Sequence, residues 1–138
     1  MPTPIPKKIL ARQNEITTDY LVLLETHLQS IISQKTTKML EVRDFASMLF
    51  IHPTHLSNTI KLTTGKSPCD FYEEKIVIIS KKLLEENKLQ ISEIAILLTY
   101  DPSNFTKFFK RFVGLNPKQY REEFLMRKIK SGNYHHLN

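Results

Sequence analysis

Apolar residues recur at spacings of three and four along most of the chain, which is the spacing of one face of an α-helix. Between positions 16 and 34 these residues are Tyr20, Leu24, Leu28, Ile31 and Ile32. No segment alternates apolar and polar residues between turns as a β-strand does, and the chain has only three glycines. The pattern therefore predicts an all-α fold.

An internal repeat organises the sequence between residues 41 and 123. Residues 41–74 align with residues 90–123 at an offset of 49, and eight of the 34 positions are identical. The identical pairs are Ala46 and Ala95, Leu49 and Leu98, Pro53 and Pro102, Lys61 and Lys110, Gly65 and Gly114, Pro68 and Pro117, Glu73 and Glu122, and Glu74 and Glu123. Because the shared prolines and glycines end or begin helices, the two copies are expected to share helix boundaries.

Each copy predicts two helices joined by a tight turn, over about 41–65 and 90–114. The first helices are predicted over 42–49 and 91–98, and the second over 53–64 and 102–113. Proline opens each second helix and glycine follows it, as is typical of helix N- and C-termini. Asp101 is a good cap and His52 a poor one. Ala46 and Ala95 allow close helix approach, so each copy is predicted to be a helix-turn-helix.

A helical wheel separates the second helix of the later copy into two faces. Phe108, Phe109 and Phe112 lie within about 60° of Phe105, and we expect all four to be core. The opposite side carries polar and cationic residues, namely Ser103, Asn104, Thr106, Lys107, Lys110 and Arg111. Such a helix has an anchored face and a face suited to phosphates and base edges.

The equivalent helix of the earlier copy has the same layout with less charge. Leu56 and Ile60 form its apolar stripe. Its outward residues are Thr54, Ser57, Asn58 and Lys61, with His55 at the edge. This helix is therefore expected to rely on hydrogen bonds more than on attraction to phosphate.

The positive charge is concentrated near the end of the chain. Residues 99–130 carry eight Lys or Arg and three Asp or Glu, whereas residues 1–98 carry 12 and 11, within a net charge of +6. A cationic block on a helical protein indicates a polyanion partner, either nucleic acid or an anionic membrane surface. A solvated basic face is the alternative that charge alone leaves open.

Chemistry other than binding has little support. Cys69 is the single cysteine, so we expect a reducing, cytoplasmic protein and a small buried or half-buried role for this residue. His52, His55 and Cys69 are too few for a metal site, and no catalytic arrangement or cofactor motif is present. We expect no enzyme, no cofactor, no metal and no membrane-spanning helix.

The second copy resembles the DNA-binding domain of the AraC/XylS family of bacterial transcription regulators. In "ISEIAILLTYDPSNFTKFFKRFVGLNPKQYR" the matching positions are Ile91, Ile94, Ala95, Phe105, Phe109, Lys110, Gly114, Pro117, Tyr120 and Arg121. The resemblance covers residues 16–124 and implies seven helices, with two helix-turn-helix units joined by a long helix over about 68–87. Residues 1–15 would be a linker or disordered arm, and 125–138, with His135 and His136, a tail.

The resemblance also implies which residues contact double-stranded DNA. Base contacts are expected from the outward side chains of both second helices: Thr54, His55, Ser57, Asn58, Ser103, Asn104, Thr106 and Lys107. Phosphate contacts are expected from Lys61, Lys66, Lys110 and Arg111. The linker helix of about 30 Å would place the two second helices in adjacent major grooves, because one DNA turn is about 34 Å.

Further expectations concern the binding partners of the protein and one position at which it differs from the family. The partners would be DNA and RNA polymerase in the bacterial cytoplasm and nucleoid. The chain alone would be a monomer, with dimerisation through an additional N-terminal domain. The family usually has glycine where this chain has Thr99, so we expect Thr99 to avoid the left-handed conformation. The rival hypothesis is a helical protein-interaction or anionic-membrane module.

Overall fold

The computed structural model describes residues 6–132, within which the chain forms seven α-helices and no strand. The helices are α1 (Lys7–Ile32), α2 (Val42–Met48), α3 (Pro53–Thr64), α4 (Pro68–Glu86), α5 (Ile91–Leu97), α6 (Pro102–Val113) and α7 (Pro117–Ser131). The all-α prediction with seven helices is confirmed. The chain divides into two compact units, the first ending at Glu73 and the second beginning at Glu74.

Helix α1 begins earlier than the sequence predicts. It follows Pro6 and starts at Lys7, so residues 7–15, which the sequence assigns to a linker or disordered arm, are helical. The buried face begins only at Ile16, and Ile9 and Leu10 are exposed. The apolar spacing used for the prediction therefore starts at Ile16. The helix itself extends further toward the N-terminus as a solvated segment and stops at Pro6, because proline cannot continue it.

The first unit packs α1 against α2 and α3. Its core includes Tyr20, Leu24 and Leu28 of α1, which are almost fully buried as their spacing predicts. The Tyr20 ring meets Phe45 edge to face at 5.5 Å, and its hydroxyl donates to the carbonyl of Pro68 at 3.3 Å. Burial, with a smaller contribution from the nearby charge of Cys69, raises the pKa of Tyr20 to about 12. Tyr20 thus links α1 to α2 and to the start of α4.

A buried histidine holds the segment that leads into α2. The Nε2 atom of His27 accepts a hydrogen bond of 2.9 Å from the backbone N–H of Leu40, and its ring lies 5.8 Å from that of Phe45. Burial lowers the pKa of His27, while Asp44 acts in the opposite direction. The imidazole must be neutral to accept this bond, because both ring nitrogens are donors when it is protonated.

The single thiol lies elsewhere than the sequence suggests. Cys69 is exposed, so the expectation of a buried or half-buried role is wrong. Its thiol donates to the carboxylate of Glu73 at 3.4 Å. Pro68 takes the buried position at the start of α4, and the next residue of a helix points about 100° away from it.

The second unit has a core of apolar side chains from α4, α5 and α6. Ile76, Leu84, Ile94 and Leu98 are fully buried, together with the phenylalanines of α6 described below. Ser80 is also buried, and its hydroxyl is satisfied by the carbonyl of Ile76 at 2.6 Å.

Helix α7 is joined to the C-terminal end of α4 by two adjacent residues. The Arg121 guanidinium donates to the carbonyl of Leu84 at 2.9 Å and to that of Leu89 at 2.7 Å. These carbonyls lie near the end of α4, where a cation is favoured by the helix dipole. Burial lowers the pKa of Arg121. Arg121 matches the family pattern, but the sequence did not predict these hydrogen bonds to α4 and the following loop.

The neighbouring Tyr120 makes a second connection. Its hydroxyl donates to the carboxylate of Glu85, and its ring meets Phe109 edge to face at 5.5 Å. Burial raises the pKa of Tyr120 to about 12, and the hydrogen bond to Glu85 adds to this effect. Helix α7 also continues to Ser131, so the tail predicted from residue 125 is helical as far as that residue. His135 and His136 lie outside the described residues.

Candidate nucleic-acid interface

The turns of both helix-turn-helix copies have the same hydrogen bonds. In the first, the N–H of Ile51 bonds to the carbonyl of Ala46 at 3.0 Å, and in the second the N–H of Tyr100 bonds to that of Ala95 at 2.8 Å. Each turn adds an equivalent bond one residue earlier, which completes a Schellman motif. Both alanines are fully buried. The predicted close helix approach is therefore present in both copies.

The left-handed residue of each turn is not glycine. Phe50 has a φ of 59° and Thr99 a φ of 67°. The expectation that Thr99 avoids this conformation is wrong, because the Schellman hydrogen bonds require a left-handed residue at that position. A left-handed L-residue costs about 1–2 kcal/mol. The fixed geometry of the turn outweighs this local preference in both copies.

Helix α3 is anchored by its buried face. Leu56 and Ile60 are fully buried, as predicted, and Thr59 is buried beside them. The hydroxyls of Thr17 in α1 and Thr63 in α3 lie 2.7 Å apart and form a hydrogen bond. These contacts hold the helix against α1, and its opposite face is presented outward.

His52 caps α3, contrary to the expectation that it is a poor cap. Its Nδ1 atom accepts a 3.1 Å hydrogen bond from the N–H of Thr54. A neutral imidazole carries one acceptor nitrogen, which here replaces the side-chain oxygen of a serine or aspartate cap. The sequence signal for this cap was its position. Residue 52 directly precedes Pro53, the first residue of the helix, and is therefore the N-cap regardless of its side chain.

Helix α6 is anchored by aromatic rings. Phe105, Phe108 and Phe109 are buried, but Phe112 is 45% exposed. The prediction that all four phenylalanines are core is therefore wrong at Phe112. Its ring contacts Phe108 at 5.0 Å, and the Arg111 guanidinium lies 4.9 Å from its centre. Phe112 stands in the last turn of α6, at the edge of the apolar stripe.

The start of α6 has an aspartate cap, as predicted. The Asp101 carboxylate accepts hydrogen bonds from the N–H groups of Ser103 and Asn104 at 3.1 and 3.3 Å. It also accepts a 2.7 Å bond from the hydroxyl of Ser103. The Ser103 hydroxyl bond is the main cause that lowers the pKa of Asp101. Asp101 is therefore an anion that orders the first turn of the helix.

The structure places the twelve predicted contact residues on two separate units. Most are exposed, and Ser57 and Thr106 are half-buried. The first unit carries Thr54, His55, Ser57, Asn58, Lys61 and Lys66, and the second carries Ser103, Asn104, Thr106, Lys107, Lys110 and Arg111. Each set lies on or directly beside one second helix, so two polar faces are present.

Two of the predicted base-contacting hydroxyls are already used as donors. The Thr106 hydroxyl donates to the carbonyl of Pro102 at 3.1 Å, and that of Ser103 donates to Asp101. In this arrangement both oxygens retain acceptor capacity only. Asn104 and Lys107 are exposed with longer polar groups, so they are better placed to donate to a ligand.

The electrostatics of the two faces differ. Within the helices, α3 carries one cation, Lys61, whereas α6 carries Lys107, Lys110 and Arg111. Lys66 follows α3, and its ammonium lies 5.4 Å from the centre of the Phe71 ring. Lys61, Lys110 and Arg111 occupy last turns, where the helix dipole also favours cations. The α6 face therefore has the stronger positive potential.

The described residues contain no cluster of three or more His, Cys, Asp or Glu side chains that could hold a metal ion. No helix among residues 6–132 is long and apolar enough to span a membrane. Within this part of the chain the polar faces of α3 and α6 are the surfaces that combine defined geometry with binding chemistry.

Known proteins share this architecture. Residues 45–123, more than half of the chain, match the family model of a helix-turn-helix domain. The solved C-terminal domain of AraT, a response regulator from Geobacillus stearothermophilus, has a TM-score of 0.68 and 27% identity over 78% of this chain and 84% of that chain. The DNA-binding domain of AdpA, solved in complex with a target DNA, shares the fold with a TM-score of 0.66 at 18% identity, over 82% and 99%.

Most of the sequence relatives are named as transcriptional regulators, and most are longer than this chain. The transcriptional activator AarP of Providencia stuartii is 25% identical over 122 residues, which cover 88% of this chain and 84% of AarP. The chain spans only 8–42% of the length of seven other curated relatives. The matched family model and the repeated helix-turn-helix geometry lead to the same assignment, and the chain belongs to the AraC-type helix-turn-helix family of DNA-binding domains.

Proposed function

We propose that the protein regulates transcription by binding double-stranded DNA sequence-specifically, with α3 and α6 inserted into adjacent major grooves. The observation that carries this proposal is the repeated geometry. Each of two Schellman turns is followed by an N-cap residue, and then by a helix that begins with proline and has an outward polar face. This geometry presents a second helix to a groove. The family is one of DNA-binding domains and not of enzymes, in agreement with the prediction of no enzymatic activity.

The proposed base contacts come from the middle of each outward face. Asn58 in α3 and Asn104 in α6 have exposed amides, and an amide suits a bidentate contact to adenine. Lys107 has a donor suited to guanine. The other proposed base contacts are Thr54, His55, Ser57, Ser103 and Thr106, of which Ser103 and Thr106 are restricted to accepting.

The proposed phosphate contacts are Lys61, Lys66, Lys110 and Arg111. Each is exposed and lies within or just beyond the last turns of α3 or α6. Cations at phosphates release condensed counterions and supply most of the affinity for any sequence. We therefore assign α6 the larger share of general affinity and α3 the larger share of discrimination.

The remaining partners follow from a role in transcription. We propose RNA polymerase as a protein partner, and the bacterial cytoplasm and nucleoid as the location, because the DNA is there. A monomer of this chain would suffice for binding, since it contains two second helices. Longer forms would dimerise through an additional N-terminal domain, and seven relatives are more than twice as long as their match to this chain.

The direct test is a fluorescence titration of the chain against duplex DNA and against anionic vesicles. Submicromolar binding to selected duplexes, with weaker binding to random duplexes, is expected. Phe112 is partly exposed, so the vesicle arm is needed to test a membrane-surface role. Binding to vesicles without binding to duplexes would reject the proposal. Selection from a random duplex pool would identify the target, which need not be palindromic.

Salt dependence tests whether the basic residues lie at the interface. If the four proposed cations contact phosphates, the logarithm of the association constant should fall against log salt with a slope of about −3.6. A slope shallower than about −1.5 would show that the cations of α6 lie away from DNA. Random duplex of the same length provides the control for the sequence-independent part.

A further inference from the structure

Leu62 is an exposed apolar residue within the outward polar face of α3. Its side chain is 63% exposed, whereas Thr59 and Ile60 beside it are buried. At about 100° per residue, Leu62 lies about 40° from Asn58 and about 160° from the buried Ile60. Single exposed apolar residues are normal on a protein surface, but this one belongs to the face that the proposed function turns toward DNA.

The repeat shows what the second copy holds at the same position. At the offset of 49, Leu62 of α3 aligns with Arg111 of α6, and both side chains are exposed. A guanidinium can contact phosphate, whereas the leucine side chain has neither a charge nor a hydrogen-bonding group. The two copies therefore place ionic and apolar chemistry at equivalent points of their outward faces.

The chemistry of the major groove limits what an outward leucine can recognise. The base edges in this groove present hydrogen-bond donors, acceptors and one apolar group, which is the C5-methyl of thymine. Contact with that methyl removes apolar surface of both groups from water and needs no hydrogen bond. Contact with deoxyribose carbons would bury apolar surface as well, but it would carry no sequence information. Because Leu62 shares the face of Asn58, which is proposed to contact a base, the methyl group is the favoured partner.

We propose that Leu62 is a specificity-determining residue that selects thymine by contacting its C5-methyl group. This inference rests on the proposed function, because it requires α3 to lie in a major groove. Asn58 and Leu62 are four residues apart, which is a rise of about 6 Å along the helix. Successive bases of a strand are about 3.4 Å apart, so the thymine lies within about two base pairs of the base that Asn58 contacts.

Deoxyuridine tests the contact directly, because it pairs as thymidine does and lacks the C5-methyl group. Each thymine of a duplex selected from the random pool is replaced singly by deoxyuridine, and binding is measured by fluorescence titration. At one of these positions the wild-type chain should lose about fourfold in affinity, which corresponds to one buried methyl group. Leu62→Ala should bind the thymine duplex about fourfold more weakly than the wild type, and it should not distinguish that duplex from the deoxyuridine duplex.

Three further variants separate this contact from other effects. Val22→Ala removes an apolar side chain of similar exposure, 59%, from the side of α1 opposite the buried Tyr20, and it should behave as the wild type. Leu62→Met keeps an apolar side chain and should retain the sensitivity to deoxyuridine. Leu62→Arg reproduces the second copy, so it should lose this sensitivity, bind random duplex more tightly and steepen the salt slope by about 0.9. Circular dichroism melting curves check that every variant folds.

Duplex binding and methyl sensitivity can fail separately. If the wild-type chain binds no selected duplex, the proposed function is wrong, and this inference with it. If the chain binds but Leu62→Ala keeps the full sensitivity to every deoxyuridine, this inference alone is wrong. Equal weakening of Leu62→Ala on the thymine and deoxyuridine duplexes would place Leu62 against the sugar–phosphate backbone instead, and unchanged binding to both would place it away from DNA.

Discussion

The two helix-turn-helix copies have the same backbone and different chemistry. Both have a buried alanine, a left-handed non-glycine residue in the turn and a proline at the start of the second helix. They differ in their anchors: α3 is held by aliphatic residues and a threonine pair, and α6 by phenylalanine rings in mutual contact. They also differ in outward charge. A duplicated unit therefore keeps the residues that determine its path and changes the charge of its outward face.

The anchors provide the largest expected difference. Phe109 is fully buried between Phe105 and Tyr120, so Phe109→Ala should lower the free energy of unfolding by about 3–5 kcal/mol. Phe112→Ala, in the same helix, removes a partly exposed ring and should cost much less. Urea unfolding followed by circular dichroism measures both. Equal losses would mean that Phe112 is as much a part of the core as Phe109.

The outward faces provide the next difference. Asn58→Ala should weaken the selected DNA site by about 1–3 kcal/mol and leave random DNA nearly unaffected, because a base contact is lost. Lys110→Ala should weaken both DNAs and make the salt slope shallower by about one, because a phosphate contact is lost. Titrations at two salt concentrations separate these effects. If Asn58→Ala weakens both DNAs equally and Lys110→Ala only the selected site, the assigned roles are reversed.

The two turns should respond alike to glycine substitution, in contrast to the different responses expected of the two outward faces. Phe50→Gly and Thr99→Gly should each stabilise the protein by about 1 kcal/mol, because glycine adopts a positive φ without the cost borne by other residues. Phe50 is 95% exposed, so its removal loses little burial. Ile96→Gly, at an exposed helical position, is the control and should destabilise by about 1 kcal/mol. A destabilised Thr99→Gly would show that its side chain supports the turn.

A pH difference between the units is the smallest expected effect. His27 has a lowered pKa through burial, and residues 74–132 contain no histidine. Its contribution to stability is therefore complete above pH 6.5 and is lost as pH falls from there through the lowered folded pKa. The hydrogen-exchange protection factor of the Leu40 amide should decline in this window, and that of Leu98 should not. His27→Gln should abolish the decline, and an unchanged Leu40 protection factor would refute it.

The sequence by itself determined the fold class, the repeat and the bounds of both second helices. The starts and ends of α3 and α6 agree with the prediction because proline and glycine act locally on φ and on backbone hydrogen bonds. The buried positions of Leu56, Ile60, Phe105 and Phe109 follow from helical spacing. The same spacing identified the outward residues, whose contacts with DNA stay predictions.

Tertiary structure decided the rest. Thr99 is left-handed because α5 and α6 must meet at a fixed angle, and no local preference reveals that demand. Arg121 binds carbonyls of α4 and its following loop, which are 32 and 37 residues away in sequence. Propensity describes what a residue prefers alone, whereas Thr99 and Arg121 depend on elements that folding brings into contact.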